Sequence, residues 1–327
     1  MSTIKNFALI GAAGYIAPRH MGAVKATGNR IVAAMDPNDS VGILDSYFPE
    51  SAFFVEFERF DRHIDKLRRK DDGRKVDYIS ICSPNYLHDS HIRFALRAGA
   101  DAICEKPLVV NPWNAEALQE IEAESGRKVH TILQLRLHPS IIALRQRVAD
   151  AVAADPDAHF EVDLTYITSR GAWYFASWKG EETKSGGIAA NIGVHFFDML
   201  LWVFGPLVEN NTHLLTWDVG SGMLRFKNAS VRWFLSVNAE YLPDWVQAKG
   251  QRTYRSITMG GEEIEFSDGF TDLHTESYRQ ILAGNSFGLD DALPAIRLVH
   301  EIRTAPQLKS SSSIHPLADL AVRTAAE

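Results

Sequence analysis

The stretch AICEKPLVV, residues 102–110, closes an apolar run with an acid, a lysine and a proline. An ammonium placed there is either a solvated strand end or a proton-transfer group at the carboxyl edge of a parallel sheet. The second use requires desolvation or neighbouring charge to lower the Lys106 pKa, because free lysine is protonated at pH 7. Pro107 fixes the local backbone and removes a donor, and Glu105 is placed either to hold the lysine or to contact a bound cofactor. Further along, GGIAANIGVHFFDML sets Asn191 and His195 four residues apart, so an amide and an imidazole share one helix face with Asp198 nearby. Histidine titrates nearest physiological pH, whereas an amide orients a hydroxyl and cannot serve as a base. A lone helical histidine is ordinarily a satisfied core residue; its pairing with Asn191 is one of two grounds for reading it as functional. Proton transfer and orientation are assigned jointly to Lys106 and His195, with the first acceptor left open between them.

A second set of residues suits a dinucleotide. IGAAGYIA places Gly11, Gly14 and Ala17 at three-residue intervals across a strand-to-helix turn. Glycine there lets backbone approach a pyrophosphate seated at a helix N-terminus, and Ala17 lets the helix lie close to the sheet. Gly11, Ala13, Gly14, Tyr15 and Ile16 are the candidate contacts. The spacing departs from G-x-G-x-x-G, so Asp36 at the end of the next strand carries much of the weight. A carboxylate there accepts hydrogen bonds from ribose hydroxyls and repels a 2′-phosphate. Pro37 and Asn38 follow it with no arginine, which favours NAD over NADP. The competing account is a glycine turn with a capping aspartate. Ser83, Asn85 and His88 of CSPNYLH, together with Gln134, complete the candidate cofactor set; the plainer reading of CSPNYLH is an X-Pro turn and a capped helix. Cys82 reads as a small core residue.

These residues need a sheet to hold them. FALIGAAG (7–14), RIVAAMDPN (30–38), VDYISICSPN (76–85), ADAICEKP (100–107) and KVHTILQLRLHP (128–139) read as strands alternating with helices such as HDSHIRFALRAG. Continuous apolar strands belong to a parallel sheet covered on both faces, with ligands beyond the strand carboxyl ends. The expected fold is α/β: an N-terminal Rossmann domain with a doubly wound parallel sheet over 1–133. A C-terminal α+β domain with a largely antiparallel open sheet follows over 134–327. In that second part MLRFKNASVRWFLSVNAEY reads as paired strands, and YRSITMGGEEIEFSDG as a hairpin turning at Gly260 and Gly261. TESYRQILAG and DDALPAIRLVHEIRTA read as helices, and the Ser-rich start of the tail as loose.

At 327 residues the chain suits two cores, and 46% hydrophobic with 23% charged residues is ordinary for a soluble enzyme. A formal net charge of −7 argues against nucleic acid and anionic membrane as partners. The first residues lack the order of a signal peptide, no apolar run reads as a membrane span, and two cysteines fit a reducing cytoplasm.

With IGAAGYIA, CSPNYLH, CEKP and GGIAANIGVHFFDML together, the chain resembles the Gfo/Idh/MocA oxidoreductase family, to about residue 305. Glu105-Lys106-Pro107 is similar to that family's short signature. Gly186, Gly187, Asn191, Gly193, His195 and Asp198 fit its later pattern, in which many members carry Asp where this chain has Asn191. This resemblance is the second ground for reading His195 as functional. Within the family, NFALIGAAGYIAPRHMGAV, DPNDSVGILDSYFPESAFFVEFERFDRH and RGAWYFASWKG are similar to the UDP-N-acetyl-2-amino-2-deoxyglucuronate 3-dehydrogenases. The resemblance implies NAD-dependent oxidation of the 3-hydroxyl of UDP-N-acetyl-D-glucosaminuronate, without a metal. It also implies a place in bacterial surface-polysaccharide synthesis, of the lipopolysaccharide and O-antigen kind, ahead of an aminotransferase. It allows 2-oxoglutarate as the reoxidant of the cofactor. A homodimer or homotetramer is expected, because the antiparallel sheet has to cover its apolar face.

The substrate would then meet QLRLHPS and TSRGAWYFASWKG, where the two domains are expected to come together. Arg136 and Arg170 suit phosphate or carboxylate, His138 lies in the same stretch as Arg136, and Trp173, Tyr174 and Trp178 suit a sugar or uracil ring, each against an even chance of plain packing. The alternatives are a dehydrogenase of a free sugar or polyol, and a non-catalytic NAD sensor.

Overall fold

The computed structural model describes residues 4–70, 73–266, 272–308 and 314–318. The chain divides into two compact units, residues 1–134 with 272–293 and residues 135–271 with 294–327. Sequence reading drew a single boundary after residue 133; by contacts the chain changes unit three times, because a short later segment packs on the first sheet.

The first unit opens with strand β1 (Asn6–Ile10), helix α1 (Ala17–Ala26), β2 (Arg30–Met35), β3 (Ala52–Phe54) and α2 (Phe57–Arg69). β4 (Tyr78–Ile81), α3 (His88–Arg97), β5 (Asp101–Cys104), α4 (Pro112–Ser125) and β6 (Val129–Thr131) follow. The six strands are all parallel in the order β3-β2-β1-β4-β5-β6. The order reverses between β1 and β4, the switch point beyond which such sheets bind ligands. The strands are short and apolar, and every residue of β1 is buried, as a sheet covered on both faces requires. The fifth run was read as one strand to residue 139. It stops at Thr131, and Gln134–Leu137 is a 3₁₀ turn ahead of the next helix, which begins at Pro139. Proline is favoured in the first turn of a helix and disfavours continued strand pairing.

In the second unit α5 (Pro139–Ala154) leads to β7 (Phe160–Thr168), short helices α6 (Ala172–Ala176) and α7 (Glu182–Ser185), and α8 (Val194–Phe204). The unit continues with β8 (Leu207–Leu215), β9 (Val219–Phe226), β10 (Ala229–Ser236), α9 (Asp244–Ala248), β11 (Thr253–Met259) and β12 (Glu262–Glu265). The sheet order is β12-β11-β7-β10-β9-β8, antiparallel throughout except for the parallel β7–β10 pair. The β9–β10 and β11–β12 hairpins stand where the sequence places them. Gly260 and Gly261 both take positive φ, as a tight hairpin turn demands; residues 267–270, beyond β12, lie outside the described residues. One sheet face packs Trp233 against Phe197 of α8. The other carries Ile167, Phe234, Leu242 and Val246 with Ala318. The tail therefore holds a docked piece: His315 and Ala318 are buried, while its Ser-rich residues 309–313 lie outside the described residues.

Helix α10 (Leu273–Leu282) returns to the first unit, and α11 (Leu289–Thr304) follows. Tyr278 and Ile281 of α10 share a core cluster with Ala17, Met21 and Val24 of α1. The Thr131 N–H at the sheet edge bonds the Phe287 carbonyl at 2.9 Å. Among the described residues the run Glu182–Phe204 is long and apolar enough to span a membrane by length and composition, but 72% of its most apolar window is buried inside the unit, as for a core helix.

Candidate active site

β1 delivers the chain to Gly11, whose φ of +87° suits glycine. A Cβ there would stand 2.6 Å from the Cys82 carbonyl carbon and 2.7 Å from the Ser83 nitrogen. No side chain fits, so the loop lies directly on the turn that follows β4. The loop is pinned to the end of β2: Gly11 N–H and Ala12 N–H reach the Met35 carbonyl at 2.9 and 3.2 Å. The Ala13 N–H donates to Asp36 Oδ2 at 3.0 Å, and the Asn38 N–H to Oδ1 at 2.8 Å. A carboxylate has about four acceptor positions, so the half-buried Asp36 retains capacity for a diol. Tyr15 projects at 97% exposure, and Ile16 packs on the core below. At the end of the sheet, Gln134 Oε1 is buried with no partner among the described residues, which such an atom seldom tolerates without a ligand or water. These residues fit a dinucleotide.

The turn after β4 behaves differently from the sequence reading. Ser83 Oγ pairs with His91 Nδ1 at 2.8 Å, and Asn85 is buried in the turn. His88, expected at the cofactor, is fully buried, with Nδ1 2.8 Å from the Pro107 carbonyl and Nε2 2.8 Å from the Ser83 carbonyl. It is a cross-brace between two turns, and burial lowers its pKa against those carbonyl bonds.

β5 ends at Glu105, whose carboxylate points inward. Oε1 accepts from His20 Nε2 at 2.9 Å and from His274 Nε2 at 2.8 Å, and Oε2 from the Lys106 N–H at 3.2 Å. These are hydrogen-bond separations, although the three side chains are of metal-ligand type. Burial alone would raise the Glu105 pKa, but the two histidine bonds and the histidine charges override it and hold the group well below the carboxylate range. His20 is lowered by burial, in spite of Glu105. Glu105, expected either to hold Lys106 or to contact a cofactor, is part of a buried network that includes Tyr278, 2.8 Å from His20 Nδ1, and Ser80, 2.6 Å from Tyr278. The sequence marks TESYRQILAG as a helix, but neither it nor His20 was given a place at the site. From Ala102 to Val110 every residue is buried except Lys106.

The second unit shows the same pattern. From Ile188 to Leu200 only His195 is more than slightly exposed. It does not lie on one regular helix with Asn191: Ala189–Gly193 is a π-helical turn that passes into α8 at Val194, a distortion frequent at functional sites. The Asn191 Nδ2 donates to the Tyr174 hydroxyl at 2.5 Å, and Tyr174 is itself buried. Burial raises the Tyr174 pKa, while the Asn191 bond and the nearby Arg170 charge lower it. Tyr174, expected to stack on substrate, holds Asn191 through this bond. Arg136 was expected to meet an anion, but its guanidinium forks onto Asp198 of α8, Nε–Oδ2 2.9 Å and Nη2–Oδ1 2.7 Å, both residues buried. His138 caps α5, its Nδ1 accepting from the Ser140 N–H at 3.2 Å, and is buried as well. Arg170 is exposed, and Trp178 is half-buried beneath Lys179, whose Nζ lies 4.2 Å from the ring centre. A cavity of about 450 Å³ is lined by Tyr174, Lys179, Trp217, Arg303 and Gln307 among others. Of these only Tyr174 was read from the sequence; Lys179 lies in the same stretch but was not singled out, and Trp217, Arg303 and Gln307 come from segments brought in by folding.

Residues 5–133 match the oxidoreductase family's NAD-binding Rossmann fold and residues 158–251 its C-terminal alpha/beta domain, under the Gfo/Idh/MocA name. The chain is 50% identical to the WlbA (WbpB) dehydrogenase of Thermus thermophilus, covering 96% of this chain and all of that one. The TM-score is 0.91 for its complex with NAD and alpha-ketoglutarate and 0.90 for that with NAD and UDP-GlcNAcA. Among curated relatives it is 29% identical to D-glucoside 3-dehydrogenase of Escherichia coli over 42% of this chain and 39% of that enzyme. The leading curated matches span between 36% and 56% of those relatives' length. The chain belongs to the Gfo/Idh/MocA oxidoreductase family, with its NAD-binding Rossmann domain and its C-terminal alpha/beta domain both present.

Proposed function

We propose that this protein oxidises the 3-hydroxyl of UDP-N-acetyl-D-glucosaminuronate to the 3-keto sugar nucleotide with NAD. The observation that carries the proposal is 50% identity across 96% of the chain with a dehydrogenase whose structure holds NAD and UDP-GlcNAcA. Lys106 and His195, each half-exposed within an otherwise buried run, supply proton transfer and orientation of the hydroxyl. The glycine loop, Asp36 and Gln134 hold the cofactor, which when bound accepts the hydride. Asn191, steadied by Tyr174, orients the sugar. The cavity of about 450 Å³, with Lys179, Arg303 and Trp217 on its walls, is within the usual size of a ligand pocket and suits the charge and ring of a nucleotide diphosphate. The NAD and alpha-ketoglutarate complex of the same relative supports reoxidation of the cofactor in place by a 2-oxo acid. We assign the product to an aminotransferase of surface-polysaccharide synthesis and the enzyme to a homo-oligomer in a reducing cytoplasm, where its two buried free cysteines stay reduced.

The glucoside relative favours the second reading, a free-sugar dehydrogenase. Absorbance at the NADH band with UDP-N-acetyl-D-glucosaminuronate, with and without 2-oxoglutarate, separates them. NADH accumulation without the oxo acid, or 2-hydroxyglutarate formed with it, is expected. Silence in both mixtures while a free glucoside reduces NAD would overturn the sugar-nucleotide assignment.

A further inference from the structure

The buried group around Glu105 has no part in the chemistry so far. Its carboxylate receives three donors: two imidazoles on Oε1 and the Lys106 N–H on Oε2. The Glu105 N–H is fixed in turn on the Ile81 carbonyl at 3.1 Å. A buried carboxylate bonded on both oxygens cannot turn without stranding a donor, so the chain enters Lys106 in one orientation. His20 comes from α1, directly after the glycine loop, and His274 from α10. The Glu105 carboxylate can only accept, so His20 carries its proton on Nε2. That leaves Nδ1 to accept from the Tyr278 hydroxyl 2.8 Å away, with Ser80 behind it. His274 acts through Nε2 alone, because its Nδ1 is buried without a partner among the described residues.

We propose that His20, Glu105 and His274 form a clamp that positions Lys106 for proton transfer, with His274 as its distal positioning residue. The inference rests on the assignment of Lys106 above. It makes α10, which no sequence motif marks, part of the reacting end of the first unit. The titratable groups whose charge bears on Glu105 or is felt from it are His20 on α1, Cys82 after β4, His88 on α3, Cys104 on β5 and His274 with Tyr278 on α10. Burial pushes both thiols and the phenol up, so they are neutral near pH 7 and Glu105 holds the negative charge.

His274→Leu deletes one donor, and His274→Gln returns one at the position of Nε2. In His274→Leu, kcat should fall about 10- to 100-fold while the Kd for NAD stays within about twofold of the wild type. With one donor gone the carboxylate protonates at higher pH, so the acidic limb of kcat should move upward. His274→Gln should recover both. A fall in kcat with an unmoved acidic limb, or no recovery with glutamine, would overturn the clamp. Imidazole ¹⁵N NMR reads it without substrate: both His20 and His274 should show protonated Nε2 in the wild type and lose that state in Glu105→Ala. Unchanged spectra would refute the clamp, whereas these shifts in an enzyme that ignores the sugar nucleotide would fault only the proposed substrate.

Discussion

Asp36 does two jobs with one carboxylate. It fastens the glycine loop through the Ala13 and Asn38 N–H groups and keeps acceptor positions for a ribose diol. Asp36→Arg should therefore weaken NAD about tenfold or more, by loosening the loop and removing the diol acceptor, and should admit NADP by removing the repulsion of a 2′-phosphate. Titrating both cofactors by protein fluorescence checks it; an unchanged preference would refute the ribose contact. Lys106 belongs to the same scale. In Lys106→Ala, turnover should fall by about 10²- to 10⁴-fold, the usual contribution of a proton-transfer group, with NAD binding retained. Turnover near the wild-type rate would take Lys106 out of the proton path.

At the scale of elements, what matters is how α8 is held. Arg136 leaves the 3₁₀ turn Gln134–Leu137 and forks onto Asp198, three residues beyond His195. Asp198→Ala leaves a buried guanidinium without its anion, which should cost about 3–5 kcal/mol and show as a lower urea midpoint. The volume-matched pair Arg136→Met with Asp198→Leu should recover most of that loss, since well-packed apolar residues replace buried ion pairs at little cost. If the single variant matched the wild type, the pair would hold nothing. This fork also shows which features were legible in the sequence. The glycine loop, the Asp36 strand end, the Lys106 turn and both hairpins are written in neighbouring residues, so local chemistry reveals them. Arg136 looked like an anion site because its anion lies 62 residues away. The π-turn under Asn191 was hidden because its residues also satisfy an ordinary helical pattern. Gly193 belongs to that turn, and a Cβ on it would meet Leu235 and Phe197 at 2.7 Å. The His20–Glu105–His274 group has no periodicity at all, since α10 joins it only through the fold.

Over the whole molecule, each unit carries a buried histidine that resists protonation. His91, stacked on Phe57 and bonded to Ser83, and His315, stacked on Phe234 and paired with Thr165, are each lowered to about 4, chiefly by burial. In the unfolded chain the same rings titrate near 6.5. Above pH 6.5 both states are neutral at these sites and the full stability is present. As pH falls from 6.5 toward 4 the unfolded chain takes up protons that the folded one refuses, and stability drains away, by about 3 kcal/mol for each histidine. The pI is about 6.0, so the net charge crosses zero early in that interval and grows positive below it. The rising self-repulsion also destabilises the fold, and a double variant isolates the share that belongs to the two rings. The urea midpoint should fall steadily between pH 6.5 and 4.5. The fall should be shallower in a His91→Asn, His315→Asn double variant, whose starting stability at pH 7 is lower. A wild-type midpoint that stays level across that interval would show that these two rings are protonated in the native state and that their burial holds no pH-dependent stability.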